Sequence, residues 1–422
     1  MLYIHIYERN NHVYMKEKTI FSPADILLPS FASDADRMNK WAVIACDQFT
    51  SDIGYWEKCR SLIEDQPSAY RFILPEAYLG KEQEKIHSEM ISKSMKCFRR
   101  EEMQTVSGLI YLERTLPNGS VRHGIVGKID LEEYDYSAGS KSAVRATEAT
   151  VVERIPPRCA IRSSAVIELP HILVLIDDRN GVFAKAKELS RSAEVAYDFE
   201  LMLGGGHVKA YKITGNLLAE MMGVIAEYEK NSGGVVYAMG DGNHSLAAAK
   251  ALWEQRKAEG AEEDDPARYA LCEITALGDE SLVFEPIYRV LTGIDREDFD
   301  ASLAAVTTEG KGEQSVIVVT QDGEKTIHFT ENTHALTVGT LQNFIDGYIA
   351  EHSGAECDYI HGEDVLRRLA AENNTVGFLM DGMDKNDLFP YVEAHGTLPR
   401  KTFSMGEAES KRYYIEARQI VK

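Results

Sequence analysis

The sequence predicts an α+β or mixed α/β protein, with mixed sheets and hairpins packed on helices and a smaller C-terminal α/β lobe. Three features carry this reading. Asn118-Gly119 joins two alternating segments, SGLIYLERTL and RHGIVGKIDL, which is a strong hairpin signal. Leu341, Phe344, Ile345, Tyr348 and Ile349 recur with the period of a helix. Residues 235–253 read as a strand end, a glycine turn and a helix start.

The remaining elements follow in order. Leu2, Ile4 and Ile6 alternate as an edge strand would, yet Met15 opens a second plausible start, so residues 1–20 read as an extension. Short apolar pieces fill 20–75, ending in a helix from Tyr55 to Glu64, and 80–103 is a charged amphipathic helix. A strand pair is expected in 164–176, closing in HILVLIDD, and helices over 182–201 and 214–230. LCEITALG and LVFEPIYRVL read as two strands close enough to be antiparallel neighbours. Beyond residue 300, Val316–Val319 and Thr326–Phe329 form a hairpin across Asp322-Gly323. The helix through Leu341 takes Thr340 as its cap, and another helix carries Leu366 before a strand in VGFLM. The 422 residues allow two or three domains at about 150 residues each, divided here as 21–300 and 301–422 with a soft boundary.

Composition narrows the function classes. The net charge of −21 comes from 67 acidic against 46 basic residues, which argues against a nucleic-acid or anionic-membrane footprint. The six cysteines form no C-x-x-C pair, so neither a zinc site nor a disulfide framework is expected, and a cytoplasmic setting fits. No apolar run reaches the roughly 18 residues of a membrane span, and no signal-peptide pattern opens the chain.

The segment YAMGDGNHSLAAAK, residues 237–250, concentrates the chemistry. Gly240 and Gly242 permit a sharp turn, and Asn243 or Ser245 can cap the following helix. A helix start offers N–H groups and a positive dipole end, a ready site for phosphate. His244 and Asp241 add an imidazole and a carboxylate, the parts of acid–base catalysis. The alternative is an ordinary tight turn, since Asp and Asn favour turns for their own reasons. The glycines fit neither a Walker loop nor a dinucleotide fingerprint.

A second cluster is RATEATVVERIPPR, with Arg145, Arg154 and Arg158 as candidate anion-binding forks and Glu148 as a further candidate catalytic carboxylate. Its bland reading is a surface helix with ion pairs. Asp47 and Gln48 directly follow an apolar strand and are weaker substrate candidates, as are Arg400 and Lys401 near the C-terminus. Asp177-Asp178 and Asp381–Asp384 lack the spacing of a metal loop, so no metal ligands are assigned.

Seven segments, in order, carry a resemblance: FSPADILLP, WAVIACDQFTSDIGYW, GIVGKIDLEEYDY, VRATEATVVERIPPR, MGDGNHSLAAAK, FEPIYRV and MDKNDLFPYVEAHGTLPRKTFS. Together they resemble the domain-of-unknown-function 1015 family of bacteria and archaea, from about Phe21 onward. That family's Asp-Gly-His-His-Arg motif maps here onto Asp241, Gly242, Asn243, His244 and Ser245, with serine in place of arginine. The same segment is distantly similar to the phosphate-binding motif of ParB/sulfiredoxin-type free serine kinases. The resemblance implies a small-molecule phosphotransferase acting on serine or phosphoserine with a nucleotide and magnesium. A non-catalytic nucleotide- or metabolite-binding regulator and a phosphatase are the alternatives. In each case the partner is a small phosphorylated metabolite or nucleotide.

Overall fold

The computed structural model describes residues 18–137, 139–150 and 155–422, together with the short paired strands Glu8–Arg9 and His12–Val13. Met15, the alternating Leu2, Ile4 and Ile6, and Arg154 lie outside the described residues. The chain divides into two units. The first comprises Met1–Leu282, Phe389–Gly396 and Glu407–Lys422; the second comprises Val283–Leu388 and Thr397–Gly406. The fold is mixed α/β, as expected.

The first unit is built on a mixed sheet. Its strands include β1 (Ala24–Pro29), β2 (Met103–Thr115), β3 (Val121–Asp130), β4 (Val144–Arg145), β5 (Leu173–Ile176), β6 (Glu194–Glu200), β7 (His207–Ile213), β8 (Tyr237–Asp241), β9 (Tyr269–Ala276) and β10 (Ala417–Gln419). Among the described residues the order runs β10-β1-β2-β3-β9-β5-β8-β4 through the centre. The β2–β3 hairpin across Asn118-Gly119 forms as its turn chemistry requires, with Gly119 at φ 86°. Period-two alternation then sorts side chains between two cores. Ile110 and Leu112 face a cluster with Trp41, Trp56 and Tyr70. Leu109 and Tyr111 face the other, with Met221, Leu246 and Trp253 from the helices that cover that side.

Several expectations are corrected here. Residues 194–200 are a strand, not the end of a helix, and pair with β7. Tyr197 and Phe199 share one buried face, and a bulge between Val195 and Tyr197 leaves Val195 exposed, so the period-two signal is short. The two strands in 164–176 do not pair with each other: Ile167–Glu168 joins β10 and β5 joins β8 and β9. LCEITALG forms β9 in the first unit, whereas Tyr288–Thr292 belongs to the second and pairs elsewhere. Asp177-Asp178 is turn chemistry, since Asp178 accepts from the N–H groups of Val182 and Phe183.

The second unit is an antiparallel sheet packed on helices Arg296–Val306 and Thr337–Glu351. The Leu341, Ile345 and Tyr348 stripe is buried against Leu291, Phe299 and Phe378. The helix starts one turn before Thr340, which is therefore not its cap; its hydroxyl instead bonds the backbone of His334.

The tail returns to the first unit under three buried arginines. Arg114 donates to the carbonyls of Glu409 (2.7 Å) and Lys411, and Arg122 to that of Ser410 (3.0 Å). Arg412 donates to Glu273 Oε2 and Glu416 Oε2, each at 2.7 Å, and to the carbonyl of Pro170. Removing one partner of a buried ion pair strands the other charge, which costs roughly 3–5 kcal/mol. Arg412→Met is therefore expected to lower the urea midpoint by an amount equivalent to about 3–5 kcal/mol, without abolishing cooperative unfolding.

Candidate functional site

The site begins at a strand register. β8 runs antiparallel to β5 with Asp241 opposite Leu173. Gly242, one residue past Asp241, therefore packs on His171 and Ile172, just ahead of Leu173. A Cβ on Gly242 would lie 3.0 Å from Ile172 Cα, and φ is 79°, so glycine is demanded twice over. Helix α7 (Asn243–Ala258) starts at once, anchored by buried Leu246, Ala249 and Trp253. Its N-cap is Gly242 in the left-handed region, so neither Asn243 nor Ser245 caps it, contrary to expectation. Asn243 Oδ1 is buried with no hydrogen-bond partner among the described residues.

A second pairing brings in the other wall. Val43–Ile44 pairs antiparallel with Tyr413–Tyr414, and Ala45 donates to the carbonyl of Arg412. Asp47 thereby arrives beside His171, with Nε2 to Oδ2 at 3.6 Å. Lys411 reaches Asp241, with Nζ to Oδ2 at 3.4 Å. Tyr414 Oη lies 2.8 Å from His171 Nδ1 and 3.1 Å from Cys46 Sγ. Gln48 donates to Asp47 at 3.0 Å, and Asp241 Oδ1 accepts from the Gly242 N–H at 2.8 Å.

The electrostatics follow from burial and pairing. Burial by itself would lower the His171 pKa, yet the Asp47 carboxylate and its hydrogen bond, helped by Asp241, raise it above the ordinary 6.5. Asp47 behaves conversely: burial would raise it, but the charge and hydrogen bond of His171, with Gln48 and Lys411, hold it well below the usual carboxylate range. Burial pushes the Cys46 thiol up to about 12, so it stays protonated and is no nucleophile at neutral pH. The result is an alternation of two carboxylates and two cations around the start of α7.

Beside this cluster the first unit holds a cavity of about 400 Å³. Ser245, His171, Tyr414, Cys46 and Arg158 contribute to one part of its lining. Arg158 is ion-paired with Glu76 there.

The predicted residues distribute unevenly. Asp241, Gly242, Ser245, Asp47 and Arg158 gather at this cluster and its cavity. Gly240 lies within β8, and His244 is half-buried in the first turn of α7. Arg145 is buried in β4, and its guanidinium donates to the carbonyls of Ser142 (2.8 Å) and Val392 (3.4 Å). Read from the sequence as an anion-binding fork, it instead binds two backbone carbonyls. Glu148 is half-buried in the stretch between β4 and helix α4 (Ile155–Ser163). Arg400 and Lys401 belong to the second unit, where Arg400 pairs with Asp346 and both carbonyls accept from Arg289. His171, Tyr414 and Lys411 were missed. His171 opens an apolar strand, a legible position; Lys411 and Tyr414 arrive through a long-range strand pairing that has no local signature.

His171 offers a direct check. Its proton NMR titration midpoint is expected above 6.5 in the native chain and to fall in Asp47→Asn, where burial opposes charge with less compensation. The stability sign follows. The His171 contribution is complete below its unfolded pKa of about 6.5 and fades as pH rises through the raised folded value. That of Asp47 is complete above about 4 and fades as pH falls through its depressed folded value. The stability lost in Asp47→Asn should thus be greatest near pH 5 and smaller in alkali, measured by urea unfolding.

The chain belongs to the family described as Protein of unknown function (DUF1015), which matches it over residues 27–348. No curated protein matches it. Among solved structures it is similar to a free serine kinase variant in complex with ADP, with 11% identity, a TM-score of 0.39, and coverage of 72% of this chain and 95% of that one. It is also similar to a conserved hypothetical protein from Pyrococcus furiosus, at 11% identity and TM-score 0.35 over 70% of this chain and 94% of that one. A third is SbnI with C-terminal truncation from Staphylococcus aureus, at 9% identity and TM-score 0.37, covering 70% and 87% respectively.

Proposed function

We propose that this chain is a nucleotide-dependent small-molecule phosphotransferase. The observation that carries the reading is the convergence of the α7 start, His171, Lys411 and the carboxylate of Asp241 beside a cavity that Ser245, His171 and Tyr414 help to line. Phosphoryl transfer asks chiefly for positioning and for cancellation of negative charge, and this set supplies both. Backbone N–H groups at the start of α7, that of Asn243 first among them, would cradle the transferring phosphate. His244, with Asp241 or Glu148, would take the proton of the attacking hydroxyl. Lys411, His171 and Arg158 would offset the charge spread over the phosphoryl oxygens. Free serine is the simplest acceptor in keeping with the resemblance.

Magnesium fits this set poorly. It is held by one or two carboxylates together with substrate phosphates. Asp47 and Asp241 are each committed to a cation, so a magnesium ion would have to displace His171 or Lys411 to bind either.

The test is phosphate exchange between a labelled nucleoside triphosphate and a panel of hydroxyl acceptors that includes serine. His244→Ala is expected to lower turnover by about 10²–10⁴-fold while nucleotide affinity changes little, because the backbone cradle does not need the imidazole. Equal turnover in both would remove His244 from the reaction. Nucleotide binding with no exchange in the native chain would favour a regulator instead.

A further inference from the structure

The same cavity is larger and more apolar than free serine requires. At about 400 Å³ it falls in the roughly 300–1,000 Å³ range of pockets that enclose drug-sized ligands. A free amino acid with a hydroxymethyl side chain would leave most of it empty. Away from Ser245 and His171, its walls are Phe72, Leu74, Met95, Ile161, Ala165 and Leu169. Phe72, Leu74, Ile161 and Leu169 line the cavity and are only partly buried among the described residues, so they present apolar surface to it. The two arginines are already committed, Arg158 to Glu76 and Arg162 to Glu168, and the further charged group on this lining is the Glu84 carboxylate, so the wall carries no surplus positive charge to select a second anion.

We propose that the cavity takes an amphipathic alcohol, with its hydroxyl at Ser245 and His171 and an apolar body of roughly eight to ten carbons against Phe72, Leu74, Ile161 and Leu169. The proposal rests on the phosphotransferase reading for the fate of that hydroxyl. The acceptor oxygen attacks the terminal phosphorus of a nucleoside triphosphate, forming the new O–P bond. The bond from that phosphorus to the bridging oxygen breaks, and the nucleoside diphosphate leaves with those electrons. The hydroxyl proton passes to the Asp241 carboxylate or the His244 imidazole. The product is an alkyl phosphate whose head lies at the start of α7 and whose body fills the apolar walls.

Product mimics test this without turnover. Binding of ethyl to decyl phosphate and of inorganic phosphate to the full chain is measured by calorimetry, below the concentrations at which the longer chains form micelles. Each added methylene buried should tighten binding by about fourfold, up to the length that fills the cavity. Ala165→Leu and Ile161→Trp both take up cavity space; Ile161 is half-buried, whereas Ala165 sits in a buried cluster, so urea unfolding checks that each variant is folded. In either, the dependence on chain length should shorten or flatten while affinity for inorganic phosphate stays unchanged. Affinity independent of chain length, or a dependence that neither substitution alters, overturns the proposal. Nucleotide exchange onto serine with no preference for longer chains overturns it and leaves the phosphotransferase standing. Length-dependent binding with no nucleotide affinity keeps the amphipathic site and removes the phosphotransferase.

Discussion

The geometry of the site depends on where Arg412 is held. Its guanidinium binds Glu273 on β9, Glu416 on the tail and the carbonyl of Pro170. Pro170 is the residue before His171, and Lys411 and Tyr414 flank Arg412 in the tail. One buried cation thus sets the spacing between the strand that presents the imidazole and the segment that presents the amine and phenol. A buried ion pair is a weak source of net stability, because desolvation consumes much of the attraction. Its value here is positional, as the three donor directions of a guanidinium admit one placement of the segment. Arg114 and Arg122 complete the clamp through the carbonyls of Glu409, Ser410 and Lys411.

The charges at the site are balanced within the protein before any ligand arrives. Asp47 faces His171, and Asp241 faces Lys411. An anion entering at the start of α7 therefore meets cations whose charge is shared with carboxylates. Such a site binds phosphate less tightly than bare cations would, and it keeps both cations desolvated and oriented for charge that develops during reaction. The cost of holding His171 protonated while buried is met by Asp47, and Tyr414 fixes the ring through the other nitrogen.

Local features of the fold were legible and remote ones were not. Asn118-Gly119 announces its hairpin, and Leu341, Ile345 and Tyr348 announce a helix, because turn conformation and side-chain period are set by adjacent residues. Gly242 was legible as a turn glycine before a helix, and its second reason, the contact with Ile172, was not. The helix–strand error at Glu194–Glu200 has the same root. Its period-two pattern is short and polar on one face, and only pairing with β7 decides it. The arginine-rich stretch misled in a specific way. Arg145 was counted by charge, whereas its partners are the carbonyls of Ser142 and Val392, the latter almost 250 residues downstream. The excursion into the second unit and the return at Glu407 leave no Pro-rich or low-complexity mark in the sequence.

That return makes the site a long-range construction. Strand β5, the Asp47 segment, β8 and the tail come from four separated parts of the chain, and none supplies more than two of the charged groups. Pairings at such separation cost loop-closure entropy that must be met before they are rewarded. The segment carrying Lys411 docks against β2, β3 and β9, where Arg114, Arg122 and Glu273 lie. The cavity wall formed by Phe72, Leu74 and Ile161 draws on the early helices and α4, and Phe72 and Leu74 also pack on a cluster that holds Ala417 and Ile420 of the tail. The tail therefore supports both the apolar half of the cavity, through Ala417 and Ile420, and its charged end, through Lys411 and Tyr414.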